Sequence, residues 1–408
     1  MLVDEAITAA PSVIASQAPP TPLTTGWQQS QPDEMDVFTQ PSEAESIPQL
    51  FRYGPLVLRP HAAYRFLYGN GIQSALGNQE ATAIQELSPG LLVDLGTHWA
   101  MDYTPTLRFY SNSKFRDTVD HALQLTGGQE FGDWRLGFLH GSQFTTTPLA
   151  ETGGQTEQTT HVTGLTAARE FNSELSADFA LNQQISLVTG FQDAYTWSTL
   201  DWLNYRFWPR LTVGLGAGGG YVKIKDTSGS RTAANLDQTF EQLQARVNWR
   251  AAEKISFQIS GGLEDRQFNT AGSGDSLNPI FGAAIQYQPF KNTQISLSAS
   301  RTVSSSDYYL AAQQAESTMV GLNLSQRFLK KFLLGLGVAY GTTDYTTAVA
   351  AAAQNRSDDN VSFNARLSHP IFKRGTASVF YQYADNHSSG PGLSFQSNQT
   401  GFEISYRF

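Results

Sequence analysis

The chain contains no cysteine and no long uninterrupted run of apolar residues. The lack of cysteine excludes disulfide bonds, but it fits an exported protein and many cytosolic ones alike. A membrane-spanning helix needs about 18 or more apolar residues in succession, so the sequence predicts no transmembrane helix. Motifs for zinc, phosphate loops and dinucleotides are absent, and the net charge of -9 argues against nucleic-acid partners. No metal site and no cofactor is implied.

The composition that remains is polar and rich in glycine and aromatic residues, with 35 Gly and 25 Phe in 408 residues. This composition is expected when one face of each strand meets lipid and the other meets water. The chain is too long for a typical single soluble core, whereas a large barrel uses that many residues in one closed sheet. Composition therefore favours a membrane barrel.

The last eight residues alternate between apolar and polar side chains. Their apolar members are Phe402, Ile404, Tyr406 and Phe408. Such alternation predicts a β-strand with one apolar and one polar face. A carboxy-terminal aromatic residue on such a strand resembles the signal by which the bacterial outer-membrane assembly machinery recognises β-barrel proteins. We therefore predict that these four residues form an assembly signal.

Short turns flanked by aromatic residues recur from Leu56 onward, with a period of about 40 residues. The eight turns are Gly96-Thr97, Phe131–Trp134, Phe171–Ser173, Phe207–Arg210, Ala252–Lys254, Phe290–Asn292, Phe328–Phe332 and Phe372–Gly375. A propeller has a similar period, but its blades hold four short strands, whereas each period here holds two long ones. With both termini on the side of the turns, eight turns imply an all-β, transmembrane, antiparallel up-and-down barrel of about 18 strands.

Longer polar links are predicted at the other ends of the strands. They comprise residues 151–158, 226–237, 269–278, 304–316, 344–360 and 385–394. A second aromatic set lies near them: Phe109, Tyr110, Phe144, Tyr195, Tyr221, Phe268, Tyr308, Tyr309, Tyr345 and Tyr383. Together with the turn aromatics, this set predicts two girdles at the two surfaces of a membrane.

Most strands alternate clearly, and two patterns stand apart. Leu211, Val213 and Leu215 alternate with glycine, which predicts a thin wall where something packs close or water passes. The strand around residues 195–208 is ambiguous because Asp201 shares its parity with apolar neighbours.

These features resemble the β-barrel porin family of Gram-negative outer-membrane proteins, a broad group sometimes encoded near exopolysaccharide genes. The resemblance rests on the terminal strand, the aromatic-flanked turns and the two-strand period. It implies a location in the bacterial outer membrane with both termini periplasmic, in contact with membrane lipid and the barrel assembly machinery. The resemblance carries no residue-level binding motif.

Charged side chains on the strands are expected to face the lumen, because a charge on the lipid face is costly. The predicted lumen residues are Arg59, Arg65, Arg108, Arg246, Arg250, Arg266, Arg327, Arg366 and Arg407. Fewer acids share this face, such as Asp102, Glu264 and Glu403, so we predict a mild preference for anions. In the alternative interpretation, the arginines pair with inward acids and only brace the wall.

Positive charge is missing from the first 50 residues, which contain seven acidic residues and no Lys or Arg before Arg52. We predict a disordered acidic segment over residues 1–50 and a barrel domain over residues 51–408. The segment shows no secretory signal, although an outer-membrane protein requires one. With no predicted link long enough to narrow the lumen, the segment could act as a plug or as a periplasmic tether.

The sequence predicts a porin-like channel for passive diffusion of small solutes. Two alternatives stay open, namely a barrel associated with exopolysaccharide export and a structural or surface barrel without transport. An enzyme is the rival class, since His140 and Ser142 lie two apart on one strand and point to one face. No third partner is identifiable from the sequence, so no catalytic residue is predicted. A homo-oligomer also stays open, because oligomer faces and lipid faces are both apolar.

Overall fold

The computed structural model describes residues 51–149, 153–226, 237–269, 275–305, 313–347 and 355–408. These residues form 19 β-strands and no α-helix. The strands are β1 (Arg52–Tyr53), β2 (Leu56–Ala75), β3 (Asn78–Leu95), β4 (Trp99–Tyr110), β5 (Thr118–Phe131), β6 (Trp134–Leu149), β7 (Gly154–Glu170), β8 (Leu175–Val188), β9 (Gln192–Trp208), β10 (Leu211–Asp226), β11 (Gln238–Ala252), β12 (Ile255–Phe268), β13 (Ser276–Phe290), β14 (Thr293–Ser305), β15 (Gln313–Phe328), β16 (Phe332–Thr347), β17 (Arg356–Ile371), β18 (Gly375–Ser388) and β19 (Phe395–Arg407).

Strands β2 to β19 form one closed antiparallel sheet in which each strand pairs with its neighbours in the chain. The sheet closes where β19 pairs with β2, with Phe402 opposite Phe66 and Glu403 opposite Arg65. Strand β1 has two residues and pairs only with the start of β2. The barrel therefore has 18 strands, which confirms the predicted up-and-down architecture. Closure leaves no free sheet edge, as a membrane barrel requires.

All eight predicted short turns connect strands at one end of the barrel, here called the turn end. At the opposite loop end the strands run further than predicted. Strand β16 continues to Thr347 and β17 begins at Arg356, so both enter the predicted link 344–360. The backbone ladder extends through polar residues because strand pairing needs no apolar side chains where water covers both faces. Three further links at the loop end were not predicted, at residues 76–77, 111–117 and 189–191.

The pairing register separates the residues of each strand into two faces. On one face, side chains reach over intervening strands, as Arg246 of β11 does to Asp178 of β8, so this face is the concave inner wall. The other face exposes large apolar side chains, among them Leu215 and Leu243, each 66% exposed. The wall is thus polar inside and apolar outside, the arrangement of a barrel surrounded by lipid.

The register also settles which aromatic residues belong to the second girdle. Phe109 and Phe144 lie exposed on the outer face, as predicted. Tyr110 and Tyr345 instead face inward, where Tyr110 stacks on Phe115 at a ring distance of 5.2 Å and Tyr345 is buried. Tyr308 and Tyr309 lie outside the described residues. Phe268 also faces inward, since it has the parity of inward Arg266 on β12. The prediction was wrong for Tyr110, Phe268 and Tyr345 because clustering along the sequence does not show which face a strand end presents.

Strand β9 resolves the ambiguity around Asp201, which lies on the outer face with Leu203 and Tyr205. The carboxylate accepts hydrogen bonds from Thr199 Oγ1 at 3.1 Å and from the backbone N–H of Ala180 at 3.2 Å. These donors partly compensate a charge on the apolar side of the wall.

Candidate functional site: the barrel lumen

The predicted arginines lie on or near the inner wall, and six of them contact an inward carboxylate. The ion pairs are Arg59–Asp94 (2.7 Å), Arg65–Glu86 (3.5 Å), Arg108–Glu86 (2.6 Å), Arg246–Asp178, Arg266–Glu264 (2.7 Å) and Arg366–Glu403 (2.6 Å). Arg407 pairs in register with inward His61, which in turn contacts Asp102 at 3.2 Å. Arg250 and Arg327 lie exposed at the turn end.

Sequence reasoning missed most of the acids that pair with these arginines. Glu86 and Asp94 lie on β3, Asp120 on β5 and Asp178 on β8, and all four belong to the inner face by register. The signal was present, because each of these acids has the parity of the polar side chains on its strand. The inner wall therefore carries nearly balanced charge, which favours the bracing interpretation of the arginines.

The most continuous set of inner charges crosses four strands, and we call Arg65, Glu86, Arg108 and Asp120 the charge ladder. Arg65 of β2, Glu86 of β3 and Arg108 of β4 are successive partners in the pairing register. Arg108 donates from Nε to Glu86 and from Nη1 to Asp120, each at 2.6 Å. Asp120 also accepts a hydrogen bond from the backbone N–H of Thr146 at 2.9 Å. Alternating charges thus fix four strands to one another by charge-assisted hydrogen bonds.

The glycines of strand β10 leave room for the Arg246 side chain of β11 to reach β8. Arg246 donates from Nε and Nη2 to Asn204 Oδ1, at 3.0 and 2.6 Å, and lies 4.3 Å above the Trp202 ring. A Cβ added at Gly214 would lie 2.6 Å from Asn204 Oδ1 and 3.0 Å from Arg246 Cγ. The glycines of β10 therefore permit close packing of side chains from the neighbouring strands at this point.

Inner residues near the loop end are buried, whereas inner residues nearer the turn end reach solvent. Arg266 and Glu264 are 2% and 5% exposed, and Arg356 with Asp358 is similarly buried. In contrast, Gln258, Ser298 and Asn323 on the inner wall are exposed. Buried charges of this kind persist only where they are paired and hydrogen-bonded. The lumen is thus wide toward the turn end and packed toward the loop end.

Part of this packing comes from the tip of the β2–β3 hairpin, residues 70–80, here called the cover hairpin. A bulge interrupts the β2–β3 register between Gly69 and Ile72. Gly71 has a φ of +81°, and a Cβ there would lie 1.8 Å from the carbonyl oxygen of Gln396 on β19. Only glycine fits this bend, because it combines a left-handed conformation with a close backbone approach.

The cover hairpin leans over the mouth of the barrel and contacts links on both of its sides. The Gly77 N–H donates to the Gly392 carbonyl at 2.9 Å, in the β18–β19 link. Gln79 donates to the Ser394 carbonyl at 3.2 Å. On the other side, a Cβ added at Gly154 of β7 would lie 3.2 Å from the Ser74 carbonyl oxygen. Since β7 lies well away from β2 around the barrel, the hairpin spans a sector of the opening.

The β4–β5 link, residues 111–117, holds the cover hairpin in place. Lys114 forms an ion pair with Glu80, and Asn112 donates to the Ala81 carbonyl at 3.0 Å. Phe115 is buried in an apolar cluster that has Leu67, Ile72, Ile84 and Phe380 as its other buried members. This contact network corrects the expectation that no link narrows the lumen. A signal was present in the turn residues Asn70-Gly71 and Gly77-Asn78.

Among the described residues, no group of three or more His, Cys, Asp or Glu side chains could hold a metal ion. No helix within the same ranges has the length and apolarity needed to cross a membrane. The inner wall and the cover hairpin can admit or exclude solutes according to their size and charge.

Residues 220–408 match the family model described as "Putative beta-barrel porin 2". The match covers somewhat less than half of the chain and supports the resemblance to β-barrel porins that the sequence predicts. The porin-type barrel has no match among curated protein sequences. With its closed wall and apolar outer belt it is an outer-membrane protein.

Three solved structures share the barrel form at low identity. The siderophore receptor PirA from Pseudomonas aeruginosa is 10% identical, with 86% of this chain and 80% of that chain covered and a TM-score of 0.46. OccAB3 from Acinetobacter baumannii is 11% identical, with 86% and 99% covered and a TM-score of 0.45. OpdL from Pseudomonas aeruginosa is 14% identical, with 86% and 98% covered and a TM-score of 0.43. Similarity this loose assigns no function.

Proposed function

We propose that the porin-type barrel is a passive outer-membrane channel for small polar solutes, with at most a mild preference for anions. The observation that carries this proposal is the inner wall itself, which is polar and charged along 18 strands while the outer wall is apolar. A polar and charged inner wall would serve no function in a barrel whose interior excludes water. About 18 strands also leave room for an aqueous channel.

Charge selectivity is expected to be weak for two reasons. Six of the nine predicted lumen arginines are paired with acids, so the field they would exert on a passing ion is largely cancelled. Water in a wide lumen screens the remaining charges within about 10 Å at ordinary ionic strength. The exposed arginines Arg250 and Arg327 at the turn end support the remaining anion preference.

The cover hairpin is the element that limits solute size in this proposal. It lies over the mouth at the loop end, and its tip is held by hydrogen bonds and one ion pair to two links. Solutes would pass between it and the opposite wall. The constriction is therefore built from the first hairpin of the barrel.

Planar-bilayer recording of the purified full chain tests the proposal. Expected are discrete, ohmic conductance steps and a small reversal potential of anion-selective sign under a salt gradient. Folded protein that inserts without conductance would contradict the channel and leave a structural barrel. Cation selectivity would contradict the proposed anion preference but not the proposed channel. Arg250→Ala with Arg327→Ala should move the reversal potential toward zero.

A further inference from the structure

The outer wall of β6 and β7 carries a polar cluster that the channel function does not use. His140 and Ser142 of β6 lie on the same face as outward Leu136 and Phe144. In the pairing register His140 lies opposite Thr163 of β7, and Ser142 lies opposite His161. At the corresponding distance from the turns, β16 has Val338 and Tyr340, both exposed on the outer face. Polar groups on the lipid side are costly, so this cluster requires its own explanation.

Three hydrogen bonds connect the four side chains. Ser142 Oγ lies 3.0 Å from His140 Nε2, and His140 Nδ1 lies 2.9 Å from Thr163 Oγ1. His161 Nδ1 lies 2.8 Å from Ser142 Oγ. The two histidine rings lie face to face, with centroids 6.4 Å apart.

More than one assignment of protons satisfies all three contacts, and the following one makes His140 a base for Ser142. His140 carries its proton on Nδ1 and donates it to Thr163, which leaves the Nε2 lone pair to accept the hydroxyl of Ser142. Ser142 Oγ in turn accepts the Nδ1–H of His161. This is the arrangement of an activated nucleophile: a serine, a base within hydrogen-bond reach, and a third group that fixes the tautomer of the base.

We propose that Ser142 and His140, positioned by Thr163, form a serine-hydrolase site on the outer wall that cleaves carboxylic acyl esters of membrane lipids. The sequence offered only the pair His140 and Ser142, and the register between β6 and β7 supplies the missing partners. The proposal is independent of conduction, because the cluster lies on the opposite face of the wall from the lumen.

The reaction uses only groups in the cluster, the lipid and water. Ser142 Oγ attacks the ester carbonyl carbon while its proton moves to His140 Nε2, and Thr163 accepts the Nδ1–H of the resulting imidazolium. The Nδ1–H of His161, which had donated to Ser142, donates to the tetrahedral oxyanion. The carbon–oxygen bond to the leaving group breaks, and His140 gives its proton to that oxygen, releasing the lipid alcohol. Water, deprotonated by His140, then hydrolyses the acyl-serine, releases the fatty acid and restores Ser142.

The place of the cluster on the wall selects lipid esters as substrates. His161 packs edge-on against Phe144 at 5.7 Å, and Phe144 packs against His121 at 6.3 Å. His121 stacks on Tyr103 at 6.2 Å. Outward aromatic residues mark the level of the lipid headgroups, next to which the ester bonds of a bilayer lie. A soluble ester would have to cross lipid to reach this face. Phospholipids and acylated glycolipids share the ester chemistry, and both are suitable substrates.

The test uses the full chain reconstituted with lipid. We expect an alkyl fluorophosphonate to label the wild type, and fatty acid to be released from vesicles of diacyl phospholipid, from vesicles containing an acylated glycolipid, or from both. Ser142→Ala should abolish labelling and lower fatty-acid release by about 100-fold or more, with unchanged conductance. Ser298→Ala, on the inner wall, is the matched control and should retain both signals.

Thr163 is a positioning residue, so its test needs a signal that a structural role would not move. Thr163→Val removes the acceptor and should lower the rate, whereas Thr163→Ser should restore it. Heat-modifiability of each variant shows that the barrel is folded. Equal labelling of wild type and Ser142→Ala, or no fatty acid released from either lipid by folded wild type, would overturn the proposal and leave the cluster as a polar contact of the wall.

Discussion

At the scale of single residues, the inner arginines act through their acidic partners. Arg108 shows this most clearly, since its guanidinium is mostly buried and binds Glu86 and Asp120 at once. Removing a partner from such a group leaves a buried charge with no compensation, which costs more than the pair itself contributes.

Arg108→Ala should therefore destabilise the barrel by about 3 kcal/mol, because Glu86 and Asp120 would be left as adjacent like charges. Urea-induced unfolding of the reconstituted protein measures this, and Arg327→Ala, exposed at the turn end, is the matched control. A loss as small as that of the control would show that the charge ladder contributes nothing to stability.

At the scale of structural elements, the cover hairpin depends on its bend at Gly71. Gly71→Val places a side chain against the Gln396 carbonyl in a conformation that valine does not tolerate. We expect the hairpin to leave its position over the mouth and the single-channel conductance to rise. Gly335→Ala on β16 is the matched control, since its Cβ would meet only the Arg366 carbonyl at 4.0 Å. Equal conductance in both variants would exclude the hairpin as the constriction.

The ion pair between Lys114 and Glu80 gives the cover hairpin a dependence on pH. The hydrogen bond from Lys114, together with its charge, lowers the pKa of Glu80 below its ordinary value of 4.5. A lowered carboxyl pKa means that the contact stabilises the hairpin at pH values above 4.5 and is lost as the pH falls through the lowered pKa. Conductance should therefore rise as the pH is taken from neutral down through this lowered pKa. Glu80→Gln should show the higher conductance already at neutral pH and little further change in acid.

At the scale of the whole molecule, the eight short turns and both ends of the described barrel share one side of the membrane. We predict that this side is periplasmic. Because the chain has no cysteine, single cysteines at Ser173, Asn292 and Lys373 report the turn end, and cysteines at Thr189 and Ser389 report the loop end. In intact cells an impermeant thiol reagent should label the second group alone. Labelling of the first group alone would show that the turn end, and not the loop end, faces the outside of the cell.

The roles of the two ends of the chain stay predictions. The acidic segment 1–50 lies outside the described residues, so plug and tether both remain open. The four apolar residues of the terminal strand lie exposed on the outer face, and Phe402 stacks on Phe66 at 5.7 Å. Their role as an assembly signal is tested by Phe408→Ser, which should lower the amount of folded barrel without lowering synthesis.

The sequence alone determined the strand number, the eight turns and the inward parity of most charged residues. These features depend on short-range information, because a strand alternates with period two and a tight turn is specified by a few neighbouring residues. The three-dimensional fold was needed to show which inner acids meet which arginines, that the first hairpin covers the mouth, and that Ser142 lies within hydrogen-bond distance of His140 and His161. Each of these depends on the register between strands, which brings together residues as distant in sequence as Arg65 and Gln382. Alternation excludes a one-residue change of register, which would move side chains to the other face. A two-residue change keeps each side chain on its face but gives it different partners, so alternation alone does not specify which residues meet.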